Sequence, residues 1–196
     1  MPSLKDVLAD PSVKLTEVTK HLEGLAHSER ILETMALDRK SQERLWKIAE
    51  GSKPLSIEYL VPSGAEPLLP FPFEGKNSLP AFTRFQKVFY RTSEGTIGGY
   101  NNQALAPITG PGYYVTHSWD ARPGELAVDY LQVPSSKPMS WPPIKPNDVG
   151  LSQYIYGGMV DFLRWVSDDV VIGRAFKKGT DPMPNWFVLC RARPRA

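Results

Sequence analysis

Cysteine, histidine and net charge are all scarce in this 196-residue chain, and each shortage excludes something. Cys190 is the sole cysteine, so no intramolecular disulfide can form, which fits a reducing compartment. It falls within an apolar strand-like segment, the setting of an inert thiol rather than of a nucleophile. The three histidines, His21, His27 and His117, and that cysteine show no metal-ligand spacing; no metal and no organic cofactor is expected. With 23 basic and 21 acidic residues the net charge is +2, too little for a basic field that would hold nucleic acid or anionic lipid. The arginines from Arg191 to Arg195 read as a solvated terminus. No run of about 20 apolar residues occurs, so no integral membrane segment is expected. The opening Met1-Pro2-Ser3-Leu4-Lys5-Asp6 has no apolar core of a secretory signal, and a cytoplasmic location is the default expectation. There is no G-x-S-x-G elbow, and Gly98-Gly99 and Gly110-Pro111-Gly112 lack the strand–helix setting of a phosphate loop.

What is present is a globular composition, 41% hydrophobic and 11% aromatic, with 19 prolines, well above the usual share of about 5%. A chain of this length is expected to form one domain and to bury roughly 70% of its extended surface, so it needs no staple. Its character changes near Gly51. Before that point charges are dense and the only prolines are Pro2 and Pro11; after it prolines, glycines and aromatics take over. Residues 1–51 therefore read as a helical N-terminal segment packing on a barrel, and residues 54–192 as the barrel domain. Ser12 stands to cap a helix with the stripe Leu15, Val18, Leu22 and Leu25; Ser28 one with Ile31, Leu32 and Met35; Asp38 one with Leu45, Trp46, Ile48 and Ala49. Gly51 is a natural helix end.

Beyond Gly51 the reading is of strands. Ile57, Tyr59 and Val61 share one face of a first strand. Five prolines between Pro62 and Pro80 predict a loop there, lying over a core or a pocket mouth. Phe82–Arg91, Thr96–Tyr100, Tyr113–His117, Leu126–Val133, Val170–Phe176 and Trp186–Arg191 read as strands, with Ser93-Glu94-Gly95 and Gly110-Pro111-Gly112 as turns and Pro134–Pro146 as a second proline-rich loop. In the stretch 151–166, Tyr154–Tyr156 fits a strand, whereas Met159–Val166 has helix-like spacing. Seven or eight short strands without helical crossovers require antiparallel pairing. The predicted fold class is α+β: an N-terminal helical segment followed by an antiparallel, lipocalin-like β-barrel of about eight strands.

Tyr156-Gly157-Gly158-Met159-Val160-Asp161-Phe162-Leu163-Arg164, Val170-Val171-Ile172-Gly173-Arg174, Lys178-Gly179 and Trp186-Phe187-Val188-Leu189-Cys190-Arg191 together resemble the closing section of lipocalin-like barrels. The nearest pattern is the bacterial GXWXG family of uncharacterised function, with a helix of the type "IIDYFR", a strand of the type "VLG", a "KG" turn and a last strand ending in Arg; plastid-lipid-associated fibrillins end in a related way. The likeness covers about a fifth of the chain, and the GXWXG motif itself is absent. It implies a calycin-type barrel and, by analogy, an apolar ligand.

Candidate chemistry is sparse. Arg174 shares a strand face with Val170, Ile172 and Phe176; if that face points inward, Arg174 is a buried cation that needs a partner, and a ligand carboxylate would supply one. His117 shares a face with Tyr113 and Val115 and has the pKa range for acid–base work, although hydrogen bonding alone also accounts for such a residue. Asp129 reads as a surface or edge carboxylate, and Asp161 with Arg164 as a surface pair on a helix. Tyr59, Phe85, Phe89, Tyr100, Tyr113, Tyr130 and Trp186 either line a cavity or fill the core. The ligand-binding candidates are Phe85, Phe89, Tyr100, Tyr113, His117, Tyr130, Arg174 and Trp186, with His117 and Arg174 as the candidate catalytic groups.

Three functions fit these features. The first is binding of a small, mostly apolar or amphipathic molecule, with or without a carboxylate, inside the barrel. The second is a cofactor-free isomerase, cyclase or lyase in the same cavity. The third is a protein-interaction module using the N-terminal helices. Nothing in the sequence fixes an oligomeric state.

Overall fold

The computed structural model describes residues 2–81, 83–102, 110–150 and 152–194. Four helices come first: α1 (Leu4–Ala9), α2 (Leu15–Glu23), α3 (His27–Met35) and α4 (Arg39–Ile48). Asp38 caps α4 as expected, accepting from the N–H of Ser41 at 2.9 Å. The other two caps differ. α2 starts behind Lys14 and α3 behind Ala26, whose N–H groups donate to Glu17 and Glu29 in the first turn of each helix. Ser12 bonds Asp10 instead. α1 adds to the helices read from the sequence; Ser3 and Asp6 cap it reciprocally.

A single-turn helix, α5 (Ile57–Leu60), leads into eight strands: β1 (Phe71–Asn77), β2 (Arg84–Arg91), β3 (Ile97–Asn102), β4 (Tyr113–Ser118), β5 (Leu126–Asp129), β6 (Met159–Trp165), β7 (Val170–Lys177) and β8 (Asp181–Arg191), with α6 (Ser152–Ile155) ahead of β6. Each strand pairs antiparallel with the next, and β8 pairs antiparallel with β1 to close the barrel. The fold is α+β, a closed eight-stranded antiparallel barrel carrying N-terminal helices, as predicted. Among the described residues, no helix is long and apolar enough to cross a membrane.

Four segments depart from the sequence reading; one is Tyr154–Tyr156, read as a strand, which falls in α6 and the turn after it. Ile57–Leu60 is helical rather than a strand; Tyr59, Leu60 and Val61 are all buried, so the alternation of a half-buried strand does not hold there. The proline-rich stretch yields β1 rather than only loop. Pro72 fits because it stands at the very start of the β1–β8 ladder, opposite Ala192, whose N–H donates to its carbonyl, so only the terminal bond of that ladder is forgone. Met159–Trp165 is a strand, not a helix. Both faces of β6 are covered, one by the barrel interior and one by the helices, and a doubly buried strand is apolar enough to mimic helical spacing. The outer strand ends also move: β5 stops at Asp129, short of Val133, and β8 begins at Asp181.

Strand parity creates two cores. On the outer face, Phe162, Val170, Ile172, Phe176, Trp186 and Val188 pack under Leu4, Leu8, Val18, Leu22, Leu45 and Trp46 of the helices. Polar ties hold this layer: Arg164 stacks 3.8 Å over Trp46 and pairs with Glu125, while Asp169 receives Arg30. Another part of the outer face lies under the second proline-rich loop, where Trp141 packs on Tyr90 and Tyr100 and the hydroxyl of Tyr113 donates to the carbonyl of Pro142. Inside the barrel, Phe73, Phe89, Tyr114, Leu126, Val128, Leu163, Val171 and Leu189 meet Leu55, Tyr59, Leu60 and Val61 around α5. The hydroxyl of Tyr59 donates to the carbonyl of Ser167 in the β6–β7 turn, which seats α5 across that end. Two interior glycines make room for rings: a Cβ on Gly99 would stand 2.3 Å from Tyr114, and one on Gly173 only 2.1 Å from Phe187.

The α4 cap yields a pH-dependent prediction. Lys5, and secondarily the N–H of Ser41, hold the Asp38 carboxyl down to about 2 from 3.8. A depressed carboxyl stabilises the fold above its ordinary value, and that contribution fades as pH falls toward the folded value. Asp38→Ala is expected to cost about 1 kcal/mol at pH 7. The difference from the parent protein should shrink between pH 3.8 and about 2, as followed by urea unfolding.

Candidate functional site

The alternation of β2 places Phe85, Lys87 and Phe89 on one face, and the register makes that face the barrel interior. Lys87 pairs with Phe73 on one side and Asn101 on the other. Asp161 enters from β6, level with Val128 and Ala175. β2 and β6 stand four strands apart either way round the barrel, so the two charges reach each other across its interior. The ammonium of Lys87 donates to Asp161 Oδ2 at 3.1 Å and to the hydroxyl of Tyr130 at 2.6 Å. It also lies 4.8 Å from the ring centroid of Tyr114 and 5.1 Å from that of Phe187. The Tyr130 hydroxyl accepts from the Asn101 amide at 2.8 Å and bonds the Asp161 carboxylate in turn. Tyr156 stacks on Tyr130 with centroids 5.1 Å apart and bonds Asn101.

This bridge divides the interior. One side of it is the packed half that α5 closes. On the other lies a cavity of about 320 Å³, whose floor is Lys87, Asp161, Asn101 and Tyr130 and whose walls include Phe85, Tyr156, Met159, Ala175, Met183 and Phe187. Leu79, Tyr154 and Ile155 also line it; they are 44%, 80% and 42% exposed and mark the rim toward solvent. The site is thus an apolar cup with a polar floor.

Burial sets the electrostatics. Lys87 is 1% exposed and Asp161 4%. Desolvation pushes the Lys87 ammonium below the ordinary lysine value, with attraction to Asp161 opposing it. Desolvation likewise pushes the Asp161 carboxyl up, against the pull of Lys87. Both shifts reduce the cost of transferring the proton from nitrogen to carboxylate. Burial raises the Tyr130 phenol well above its usual range and the Tyr156 phenol to about 12, so both are neutral donors at neutral pH.

Of the residues singled out from the sequence, Phe85 and Tyr130 point into the cup; Trp186 borders it from β8 but its side chain packs on the outer face. Phe89 lies in the packed half beneath it. Tyr100 and Tyr113 face outward under Trp141 and Pro142. His117 is also outside, stacked on Trp119 with its ring nitrogen 3.4 Å from Asp129. Arg174 is outside too, because the Val170–Ile172–Phe176 face packs under the helices; its Nε donates to the carbonyl of Met183. The inward Arg174 is therefore corrected, and with it the partner for a ligand carboxylate. Asp129 is buried, not superficial. Asp161 and Arg164, read as a helical surface pair, point to opposite faces of β6 because three is an odd number in a strand.

The site residues that the sequence did not assign to it are Lys87, Asn101, Tyr156 and Asp161, the last read instead as half of a surface pair. Lys87 had a signal: if Phe85 and Phe89 face a cavity, parity puts Lys87 between them on the same face. Asn101 and Asp161 had none, since one depends on register and the other on β6 being a strand. Among the described residues no cluster of three metal-ligating side chains occurs.

Removing one member of a buried pair strands the other, so Lys87→Met is expected to cost about 3–5 kcal/mol at neutral pH. The orphaned Asp161 would have a raised carboxyl pKa; protonation relieves it, so the loss should be smaller at pH 4 than at pH 8. The double variant Lys87→Met/Asp161→Leu should recover most of the loss. Urea unfolding of the three proteins across that pH range tests this, and equal losses in single and double variants would contradict it. Comparison of the chain with protein-family models, with curated proteins and with solved structures finds no match.

Proposed function

We propose that the barrel is a small-molecule binding protein of calycin type whose cup takes one compact, mostly apolar molecule with an uncharged polar end. The carrying observation is the cup itself: about 320 Å³, open at one end and sealed at the other, with apolar walls and polar groups gathered on the floor. That volume sits at the small end of the roughly 300–1,000 Å³ typical of ligand sites. The floor favours an alcohol or carbonyl oxygen over a carboxylate. Its one cation, Lys87, already faces Asp161, and a second carboxylate would meet like charge in a dry setting. An uncharged oxygen is served by the lysine's remaining donor capacity.

A second reading, a cofactor-free isomerase, cyclase or lyase, draws support from the same floor. Asp161 as base and Tyr130 as acid face one space, and their environments set their proton affinities apart. The helices offer less to an interaction role, since their apolar stripes are buried on the barrel and Leu32 is an isolated exposed side chain.

Cinnamyl alcohol, a flat apolar molecule with one hydroxyl, is a suitable probe. It should bind one per chain with a Kd below about 1 mM, read from native mass spectrometry. Ala175→Phe puts a ring into the cup opposite Asp161 and should abolish binding while leaving the far-ultraviolet circular dichroism unchanged. Binding that survives this substitution would place the ligand elsewhere.

A further inference from the structure

We propose that Lys87 is a covalent attachment site for an aldehyde: a small apolar aldehyde seated in the cup condenses with the Lys87 amine to give an imine. The inference rests on the binding reading above and specifies its ligand chemistry. Four observations carry it. Lys87 lines the cup as well as forming the bridge, so its amine borders the space that a seated ligand fills. A proton acceptor is in place, Asp161 Oδ2 at 3.1 Å. Hydrogen-bonding groups surround the point of attack: the Tyr130 hydroxyl is 2.6 Å from Nζ and Asn101 is bonded to that hydroxyl. Asn101, only 4% exposed, keeps a carbonyl oxygen without a partner among the described residues, an acceptor for the hydroxyl of an addition intermediate.

The step balances within the site. The ammonium passes one proton to Asp161, and the nitrogen lone pair then attacks the aldehyde carbon as the C=O π pair moves to oxygen. A proton transfer from nitrogen to that oxygen gives the carbinolamine. Asp161 returns its proton to the hydroxyl, which leaves as water while the nitrogen lone pair forms C=N. The product is a protonated imine beside the Asp161 carboxylate, with one water released and the net charge unchanged. No oxidant, reductant or metal takes part. The released water leaves an apolar cup, and the iminium inherits the counter-ion that held the ammonium. Burial lowers the lysine's affinity for its proton, which raises the fraction of nucleophilic amine at a given pH.

Cinnamaldehyde with cyanoborohydride tests the idea, because reduction fixes an imine as a stable secondary amine. At one equivalent of aldehyde, intact-mass spectrometry should show one added cinnamyl group per chain, and peptide mapping should place it on Lys87. Cinnamyl alcohol in excess should suppress that label and leave slower labelling of surface lysines untouched. Labelling of Lys87 should reach its plateau at lower pH than that of the exposed Lys5, whose ammonium is held up by Asp38. Lys87→Met should lose the label. Because that variant is expected to be less stable, Ala175→Phe serves as the second test: it keeps Lys87 but fills the cup, and should lose the Lys87 label alone. Cinnamyl alcohol that binds while Lys87 stays unmodified would overturn the imine and leave the binding reading standing. Failure of both the alcohol to bind and Lys87 to react would overturn the two together.

Discussion

A closed barrel of eight strands has an interior only wide enough for its own side chains or for one small ligand. Everything distinctive here follows from how that narrow interior is divided. Closure removes every sheet edge, so the backbone is satisfied by β1 pairing with β8, and parity sends alternate side chains inward. One half of the interior is filled by Phe73, Phe89, Tyr114 and the α5 residues, with Gly99 and Gly173 conceding space to Tyr114 and Phe187. The other half is left as a cup. The boundary between them is the bridge from Lys87 to Asp161.

A bridge of this kind is costly. Desolvating each ion costs several kcal/mol, and an apolar filling of equal shape is often as stable or more so. The pair is tolerable because it is well supported: Tyr130 and Asp161 take two of the ammonium's donors, Asn101 supports Tyr130, and the faces of Tyr114 and Phe187 lie within 5.1 Å of the charge. A chain selected for stability alone gains little from placing charges there. Placed at the floor of an open cup, the same groups bring an amine, a carboxylate and a phenol within a few ångströms of one another. That placement is the physical basis for reading the cup as a site rather than as imperfect packing.

The outer face explains the helices and the prolines. An isolated barrel needs polar outward faces, yet β6, β7 and β8 present Phe162, Ile172, Phe176 and Val188 outward, and the four N-terminal helices bury them. The proline-rich loop does the same for Tyr90, Tyr100 and Tyr113 through Trp141 and Pro142. Aromatics are therefore shared between inside and outside. That is why, of the candidates drawn from the sequence, Phe85 and Tyr130 point into the cup, and why His117 and Arg174, the two groups with the most suggestive chemistry, lie on the outer surface.

By itself the sequence determined the class of fold. The change at Gly51, the absence of helical crossovers and the spacing of the turn residues are local or nearly local signals, and they required helices followed by an antiparallel barrel. The Asp38 cap was equally legible, because a cap is completed within one helical turn. Tertiary structure alone decided which face of each strand turned inward, that Met159–Trp165 was a strand, and that Lys87 and Asp161 would meet from opposite walls. The physical reason is that a strand covered on both faces loses its polar–apolar alternation, and with it the sign that tells inside from outside. A contact across a barrel depends on closure and register, which no local stretch of the chain encodes.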